Sequence, residues 1–361
     1  MSGTSLDGVD GVLVDFSDTR IRVLAHASLP FEAELKTELL ALNTAGDNEL
    51  HRCALAGNAL AHLYAQVVQK LLAQSGTAPQ QVRAIGAHGQ TVRHRPELGY
   101  TAQLLNGALL AELTGVDVAC DLRSRDVAAG GQGAPLVPAF HQAVFGREGD
   151  PVVVLNVGGI SNASVLHGDG RVGGFDCGPG NVLLDLWCQH HTGQAFDAGG
   201  AWAATGHVIP SLLESLLVEP WLALPAPKST GRDLFHADWL ARLLTSHANA
   251  LPQDVQRTLL AFTARCCADM VERYIKNSKS NSPAEWLVCG GGAFNLALMA
   301  ELQALLSCPV RSTDARGLPV MQVEAAAFAW LAHAHVNRQS GNLSAVTGAR
   351  GPRVLGCLYP A

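Results

Sequence analysis

The 361-residue chain has no Gly-Lys pair anywhere, and so no Walker A loop. That removes the P-loop plan for holding a nucleotide, in which a lysine follows the glycine turn. A dinucleotide-binding reading is weak as well, because a G-x-G-x-x-G fingerprint is read as absent. Nine cysteines are scattered at 53, 120, 177, 188, 266, 267, 289, 308 and 357, with no C-x-x-C pair. Fourteen histidines add no H-E-x-x-H and no Cys/His spacing, so a zinc site is not expected. An odd number of unpaired thiols reads as a reduced cytoplasmic protein whose cysteines are mostly small buried hydrophobes. No signal peptide is read, and no apolar run reaches the roughly 18 residues that a membrane span needs. A positive excess is also lacking: 25 Lys+Arg face 31 Asp+Glu, for a net charge of -6. That argues against a nucleic-acid partner while leaving local anion sites open.

What is present is the composition of a globular protein, 48% hydrophobic and 16% charged. The length predicts two domains, and 37 glycines suit an α/β protein with many tight turns. Strands are predicted over 9–16, 21–27, 82–87, 116–120, 152–155 and 286–289. Helices are predicted over 49–74, 104–114, 182–191, 210–218, 236–246, 252–275, from 296, and over 323–335. The first long helix keeps a 3–4 spacing of Leu50, Ala54, Leu60, Tyr64, Val67 and Leu71, with Gly76 placed to end it. A strand–turn–strand meander opens each half and strand–helix units follow, so the halves read as two versions of one plan.

The residues suited to chemistry lie in loops. The chain opens on Gly3-Thr4-Ser5-Leu6-Asp7-Gly8, followed by Val9 and Asp10, and midway it runs Asn156-Val157-Gly158-Gly159-Ile160-Ser161-Asn162-Ala163. Small residues bring backbone N–H groups close to phosphate oxygens. Two such loops, one in each half, suggest a gripped nucleotide phosphate chain. Asp7 or Asp10 is placed to face Mg²⁺, directly or through water. The competing reading of either loop alone is a turn rich in turn formers. Gly290-Gly291-Gly292-Ala293-Phe294-Asn295 ends a strand and opens a helix; it reads either as a bare surface for a purine or as a helix-entry turn.

Asp176 lies in what reads as a glycine-rich turn, 173–181, between a strand and a helix. There a carboxylate serves either as a general base or as a helix cap. Asp126, next to Arg125, sits in a long loop over 123–135 too glycine-rich for a helix interior; it reads as a ligand of a polar substrate or half of a surface ion pair. Lys228-Ser229-Thr230-Gly231-Arg232 reads equally as a contact for an anionic group and as a solvated loop. Glu324 opens the last helix, where the helix dipole alone would account for it.

The set resembles one family closely, the anhydro-N-acetylmuramic acid kinases of the sugar-kinase, heat-shock and actin ATPase superfamily. The matching stretches are 2–10, 86–91, 121–138, 156–162, 174–181, 227–235, 290–295, 324–331 and 346–351. Gly-Gly-Gln-Gly-Ala-Pro over 130–135 and Phe-Asp-Cys-Gly-Pro-Gly-Asn over 175–181 are far more specific than a generic glycine loop. The resemblance implies two ribonuclease-H-like, actin/hexokinase-type α/β domains flanking an ATP cleft. Their expected extents are 1–138 with 320–361, and 139–319. It implies a cytoplasmic, Mg²⁺- and ATP-dependent kinase, homodimeric, that opens 1,6-anhydro-N-acetylmuramic acid with water and phosphorylates O6 in peptidoglycan recycling. Asp176 falls at the base position of the family motif and 3–10 on its ATP segment. Asn156, Gly158, Gly159, Gly290, Gly291, Gly292 and Asn295 are expected to complete the ATP site. Asp126, Gly130, Gly131, Gly133 and Glu324 are expected on the sugar side. The family carries a short apolar strand ahead of Ser-Gly-Thr-Ser, so the first strand of the fold is expected to be missing here, with ladder groups left unpaired. A kinase of a free sugar hydroxyl and a non-enzymatic actin-like ATP-binding module stand as the alternatives.

Overall fold

A computed structural model of the chain describes residues 1–3, 6–18, 21–226, 228, 234–278 and 280–361. These divide into two compact units, Met1–Val144 with Gln322–Ala361, and Phe145–Met321.

In the first unit β1 (Gly8–Asp15) pairs antiparallel with β2 (Arg22–Pro30), with a bulge after Leu13. The helix Glu49–Ser75 packs against both strands through Leu60, Tyr64, Val67 and Leu71, which are buried as their spacing requires, whereas Leu50 and Ala54 of the predicted face lie in the first turns and are exposed. It ends on Gly76 in the left-handed conformation, whose N–H closes on the Leu72 carbonyl. β3 (Ile85–Gly86) is far shorter than the strand predicted over 82–87, and a 3₁₀ turn over Pro79–Gln81 precedes it. β4 (Gln90–Arg95) and β5 (Tyr100–Leu104) form a hairpin without a sequence signal, and it displaces the start of the next helix to Gly107–Thr114, capped by Asn106. β6 (Val118–Cys120) pairs parallel with β3.

The long loop over 123–135 contains a short helix, Ser124–Ala128, before its glycines begin. The helix Val323–Val336 lies on β3, and the contact is close enough that a Cβ at Gly86 would stand 2.0 Å from the Phe328 carbonyl oxygen. That packing sets the height of Glu324 above the sheet.

Among the described residues β1–β2 and the ladder containing β3 and β6 are separate sheets. Beside β1 is a cavity of about 430 Å³ lined by Val12, Val14, Val67, Leu71, Ile85 and Ala329. At its mouth Met1 and Asp10 exchange two backbone hydrogen bonds: the Met1 amine donates to the Asp10 carbonyl at 2.7 Å, and the Asp10 N–H to the Met1 carbonyl at 2.9 Å.

The second unit holds a five-stranded sheet. β7 (Val152–Val157), β8 (Ile160–Leu166) and β9 (Val172–Pro179) form an antiparallel meander. β10 (Glu285–Cys289) and β11 (Val310–Ser312) continue it in parallel with β7, giving the order β11-β10-β7-β8-β9. The meander corrects two sequence readings. The stretch over 156–163 is mostly strand, with the turn confined to Gly158 and Gly159. The residues around Asp176 form β9 and not a turn. A further surprise lies in Gly168-Asp169-Gly170-Arg171-Val172-Gly173, which does spell a dinucleotide fingerprint. It forms the β8–β9 connection and enters β9, so no helix N-terminus stands behind it.

The helix Pro252–Ser278 covers β8 and β9. The chain closes in the first unit with β12 (Cys357–Tyr359), antiparallel to β6.

Candidate active site

In the first unit the opening segment is held by Tyr64 and by residues 88–90, and Arg123 braces His88 in turn. Ser2 Oγ donates to the Gly89 carbonyl at 2.8 Å and lies 3.2 Å from the Tyr64 hydroxyl. His88 Nδ1 meets the Ser2 carbonyl at 2.7 Å, and Gln90 Nε2 donates to the Gly3 carbonyl at 3.2 Å. Arg123 Nε donates to His88 Nε2 at 3.1 Å, and its Nη1 to the Gly133 carbonyl at 2.8 Å. His88 therefore donates through Nδ1 and accepts through Nε2, which is the neutral ring. Burial, and next the Arg123 charge, hold its pKa well below the ordinary histidine value. Leu6, at φ 54°, is buried, and its N–H returns to the Gly3 carbonyl at 3.3 Å. Thr4 and Ser5 lie outside the described residues. Asp7 and Asp10 are exposed; Gly8 and Val9 belong to β1.

Glu324 stays accessible to solvent, yet enough protein crowds it that desolvation raises its pKa, with Arg123 acting in the opposite sense. Desolvation in turn lowers Arg123 to about 10, countered by Glu324. The two act on each other as opposite charges, and Arg123 also donates to the neutral His88.

Asp126 is wholly buried, unlike a surface ion pair. Its Oδ2 accepts the Gly133 N–H at 2.8 Å; its Oδ1 accepts from Asn342 Nδ2 at 2.6 Å and Thr347 Oγ1 at 2.8 Å. The Gln132 N–H donates to the Thr347 carbonyl at 2.7 Å. The carboxylate thus fixes the turn containing Gly130, Gly131 and Gly133 from beneath.

In the second unit Asn156 and Cys289 are paired neighbours at the ends of parallel strands β7 and β10. The turns that follow, Gly158-Gly159 and Gly290-Gly291-Gly292, leave the sheet from the same edge. That is the C-terminal edge, where α/β sheets receive ligands. Asn181 braces the first of them: its N–H donates to the Gly158 carbonyl at 2.8 Å and its Nδ2 to the Val157 carbonyl at 3.2 Å. The three glycines differ in kind. A Cβ at Gly290, where φ is 78°, would stand 2.5 Å from Asn156 Oδ1, and one at Gly292 would stand 2.3 Å from Val157 Cγ1. Packing of one turn on the other explains both. Gly291 is exposed, and a Cβ there would meet only Asn181 Nδ2 at 3.4 Å. Asn295 caps the helix Leu296–Leu305 by accepting the Leu298 N–H at 3.0 Å.

Asp176 is half-buried in β9 opposite Asn162, and its N–H donates to the Lys228 carbonyl at 3.0 Å. The Lys228 ammonium sits 3.8 Å from the Trp221 ring centroid and donates to the Trp221 and Leu222 carbonyls. Burial lowers its pKa to about 8. Residues 229–232 of the basic cluster lie outside the described residues.

The sequence reading missed the parts played by Ser2, Arg123, Asn181, Asn342 and Thr347. Only Asn181 carried a local signal, as the residue following Gly-Pro-Gly at a helix entry. Among the described residues no three His, Cys, Asp or Glu side chains are grouped to hold a metal, and no helix is long and apolar enough to cross a membrane.

A neighbouring pair of parallel strands, each ending in a glycine turn, belongs to an α/β protein, the class in which ligands bind at the C-terminal edge of the sheet. The sequence profile of the anhydro-N-acetylmuramic acid kinase family matches residues 1–361 in full, and the chain belongs to that family. It is 60% identical to an anhydro-N-acetylmuramic acid kinase of Variovorax paradoxus, covering 100% of this chain and 98% of the relative. It is 58% identical to one from Bordetella pertussis, covering 100% and 95%. Among solved structures it overlaps loosely with an activator of the 2-hydroxyisocaproyl-CoA dehydratase from Clostridium difficile with bound ADPNP. There the identity is 12%, the coverage 92% and 97%, and the TM-score 0.41.

Proposed function

We infer that the chain converts ATP, water and 1,6-anhydro-N-acetylmuramic acid to ADP and N-acetylmuramic acid 6-phosphate, a step of peptidoglycan recycling. The observation that carries this is the family match along the whole of residues 1–361.

The substrate dictates the chemistry. Its O6 is tied to C1, so there is no free hydroxyl at C6 to deprotonate. Water attacks C1, the C1–O6 bond breaks, and O6 takes the γ-phosphoryl as the bond to the ADP oxygen breaks. The water's proton needs an acceptor, and we assign it to the Asp176 carboxylate. A base of this kind contributes roughly 10²–10⁴-fold. The position of Asp176 on a paired strand, anchored through the Lys228 carbonyl, supports the assignment, because a rigid element places a base better than a free turn does.

For ATP we propose contacts from 3–10 in the first unit and, in the second, from Asn156, Gly158, Gly159, Gly290, Gly291, Gly292 and Asn295. Gly291 is the glycine left open to a ligand, while Gly290 and Gly292 shape the turn around it. Mg²⁺ would neutralise charge on the phosphates. Such ions are held by one or two carboxylates plus phosphate oxygens, a set that the exposed Asp7 and Asp10 fit. On the sugar side we propose Glu324 and the turn of Gly130, Gly131 and Gly133, with Asp126 holding that turn in shape. We further propose two ribonuclease-H-like domains of the actin/hexokinase type, a homodimer, and action in the cytoplasm.

The test is turnover in ¹⁸O-labelled water. Label at C1 of the phosphorylated product is expected. Phosphorylation without label at C1 would rule out the hydrolytic step and favour an ordinary hydroxyl kinase.

A further inference from the structure

Eight of the nine cysteines are buried or half-buried; Cys357 is exposed. It stands directly opposite Cys120 in the β12–β6 ladder, and the two Sγ atoms are 3.8 Å apart. Directly opposed residues of an antiparallel pair have Cα atoms about 4.5–5.5 Å apart, inside the roughly 4.4–6.8 Å that a disulfide spans. Closing the sulfurs to bonding distance therefore takes side-chain rotation and no movement of strands. Both thiols are free in the structure.

We propose that Cys120 and Cys357 form a reversible dithiol–disulfide site that responds to low-molecular-weight disulfides and fastens the C-terminal strand to the sheet. β12 is an edge strand of three residues with one ladder neighbour, β6; beyond that ladder the C-terminal end is held by the Ala361 N–H on Asp117 and by Tyr359 against Gly107. β6 leads within three residues to Arg123, which holds His88 and the glycine turn. A covalent link at Cys120 would fix the root of that segment.

The chemistry proceeds in two exchanges. The Cys357 thiolate attacks one sulfur of oxidised glutathione, forming a mixed disulfide and releasing one glutathione thiolate. Cys120 then gives up its proton and attacks the Cys357 sulfur, releasing the second glutathione. The two protein thiols are oxidised and one glutathione disulfide is reduced to two thiols. Burial first, and the Cys357 charge next, push the Cys120 thiol up to about 12. The first exchange removes that charge, so the capped form is the one in which Cys120 becomes the better nucleophile; the second exchange remains the slower of the two.

The test treats the full-length protein with oxidised glutathione and reads thiols and peptides without reduction. Expected is a count of titratable thiols in denaturant lower by two from nine, a linked peptide pair joining 120 and 357, and a raised thermal midpoint that reductant reverses. In Cys120→Ala the reaction should stop at a glutathione adduct on Cys357, and in Cys357→Ser Cys120 should stay unmodified. A persistent glutathione adduct on the unaltered protein, or a link between any other pair of cysteines, would overturn the proposal.

Discussion

Asn342 donates to the buried Asp126 carboxylate at 2.6 Å across 216 residues of sequence, and so joins the glycine turn to the C-terminal segment. Thr347 does the same from the next turn of chain. Among the described residues no Lys, Arg or His forms an ion pair with this carboxylate; three neutral donors hold it. Its first consequence is for stability. Asp126→Ala strands three donors, each costing about 1–3 kcal/mol, and should lower stability by about 3 kcal/mol or more. Asp126→Asn should keep part of the network. Thermal and urea unfolding measure both. If Asp126 met the sugar directly, Asp126→Asn would instead raise the KM for the anhydro sugar with stability unchanged.

The three glycines after β10 should separate by mutation. Gly292→Ala drives a methyl into Val157 and should destabilise by about 1–3 kcal/mol. Gly291→Ala meets only the end of the Asn181 side chain and should stay within about 0.5 kcal/mol of the parent. Its effect is expected on the KM for ATP. An unchanged KM for ATP in a stable Gly291→Ala protein would remove Gly291 from the nucleotide site.

Asp176→Asn preserves the backbone bond to Lys228 and the strand pairing, so the fold and ATP binding should persist. Turnover should fall roughly 10²–10⁴-fold. Calorimetry of ATP binding beside a coupled ADP assay decides it; near-parental turnover would put the base elsewhere.

Two histidines of the first unit should make the protein acid-sensitive. Burial lowers His141 from 6.5 to about 3 and holds His88 well below 6.5. Between the folded and unfolded values the unfolded chain binds the extra proton. Stability from these groups is therefore present above about 6.5 and is lost as pH falls toward 3. Each proton contributes a slope of about 1.4 kcal/mol per pH unit. His141→Gln should flatten the difference between unfolding midpoints measured at pH 7 and at lower pH. An identical pH profile for parent and variant would refute the assignment.

The sequence carried some of this fold plainly and hid the rest for physical reasons. The helix Glu49–Ser75 was legible because one face must meet β1 and β2, which imposes its 3–4 spacing, and because Gly76 suits the left-handed residue that ends it. β9 was misread because Gly173, Gly174 and Gly178 look like turn formers. At Gly173 the real demand is space: a Cβ there would lie 2.3 Å from the Tyr274 hydroxyl on the covering helix. β3, β11 and β12 have two or three residues each, too few for any period to show. Asp176 and the glycine turns could be picked out because each carries its chemistry in adjacent residues. The clasp on Ser2 and Gly3 could not, since Tyr64 and His88 meet Ser2, and Gln90 meets Gly3, only once the unit has folded.

Lys228 connects two things that are usually observed separately. Its carbonyl holds the Asp176 amide, while its ammonium rests on the Trp221 ring. Any event that pulls this lysine from its seat changes the charge against an indole and loosens the backbone bond to the strand bearing Asp176. The Trp221 share of the emission of six tryptophans, isolated by difference against Trp221→Phe, is therefore an optical read-out of how Asp176 is anchored.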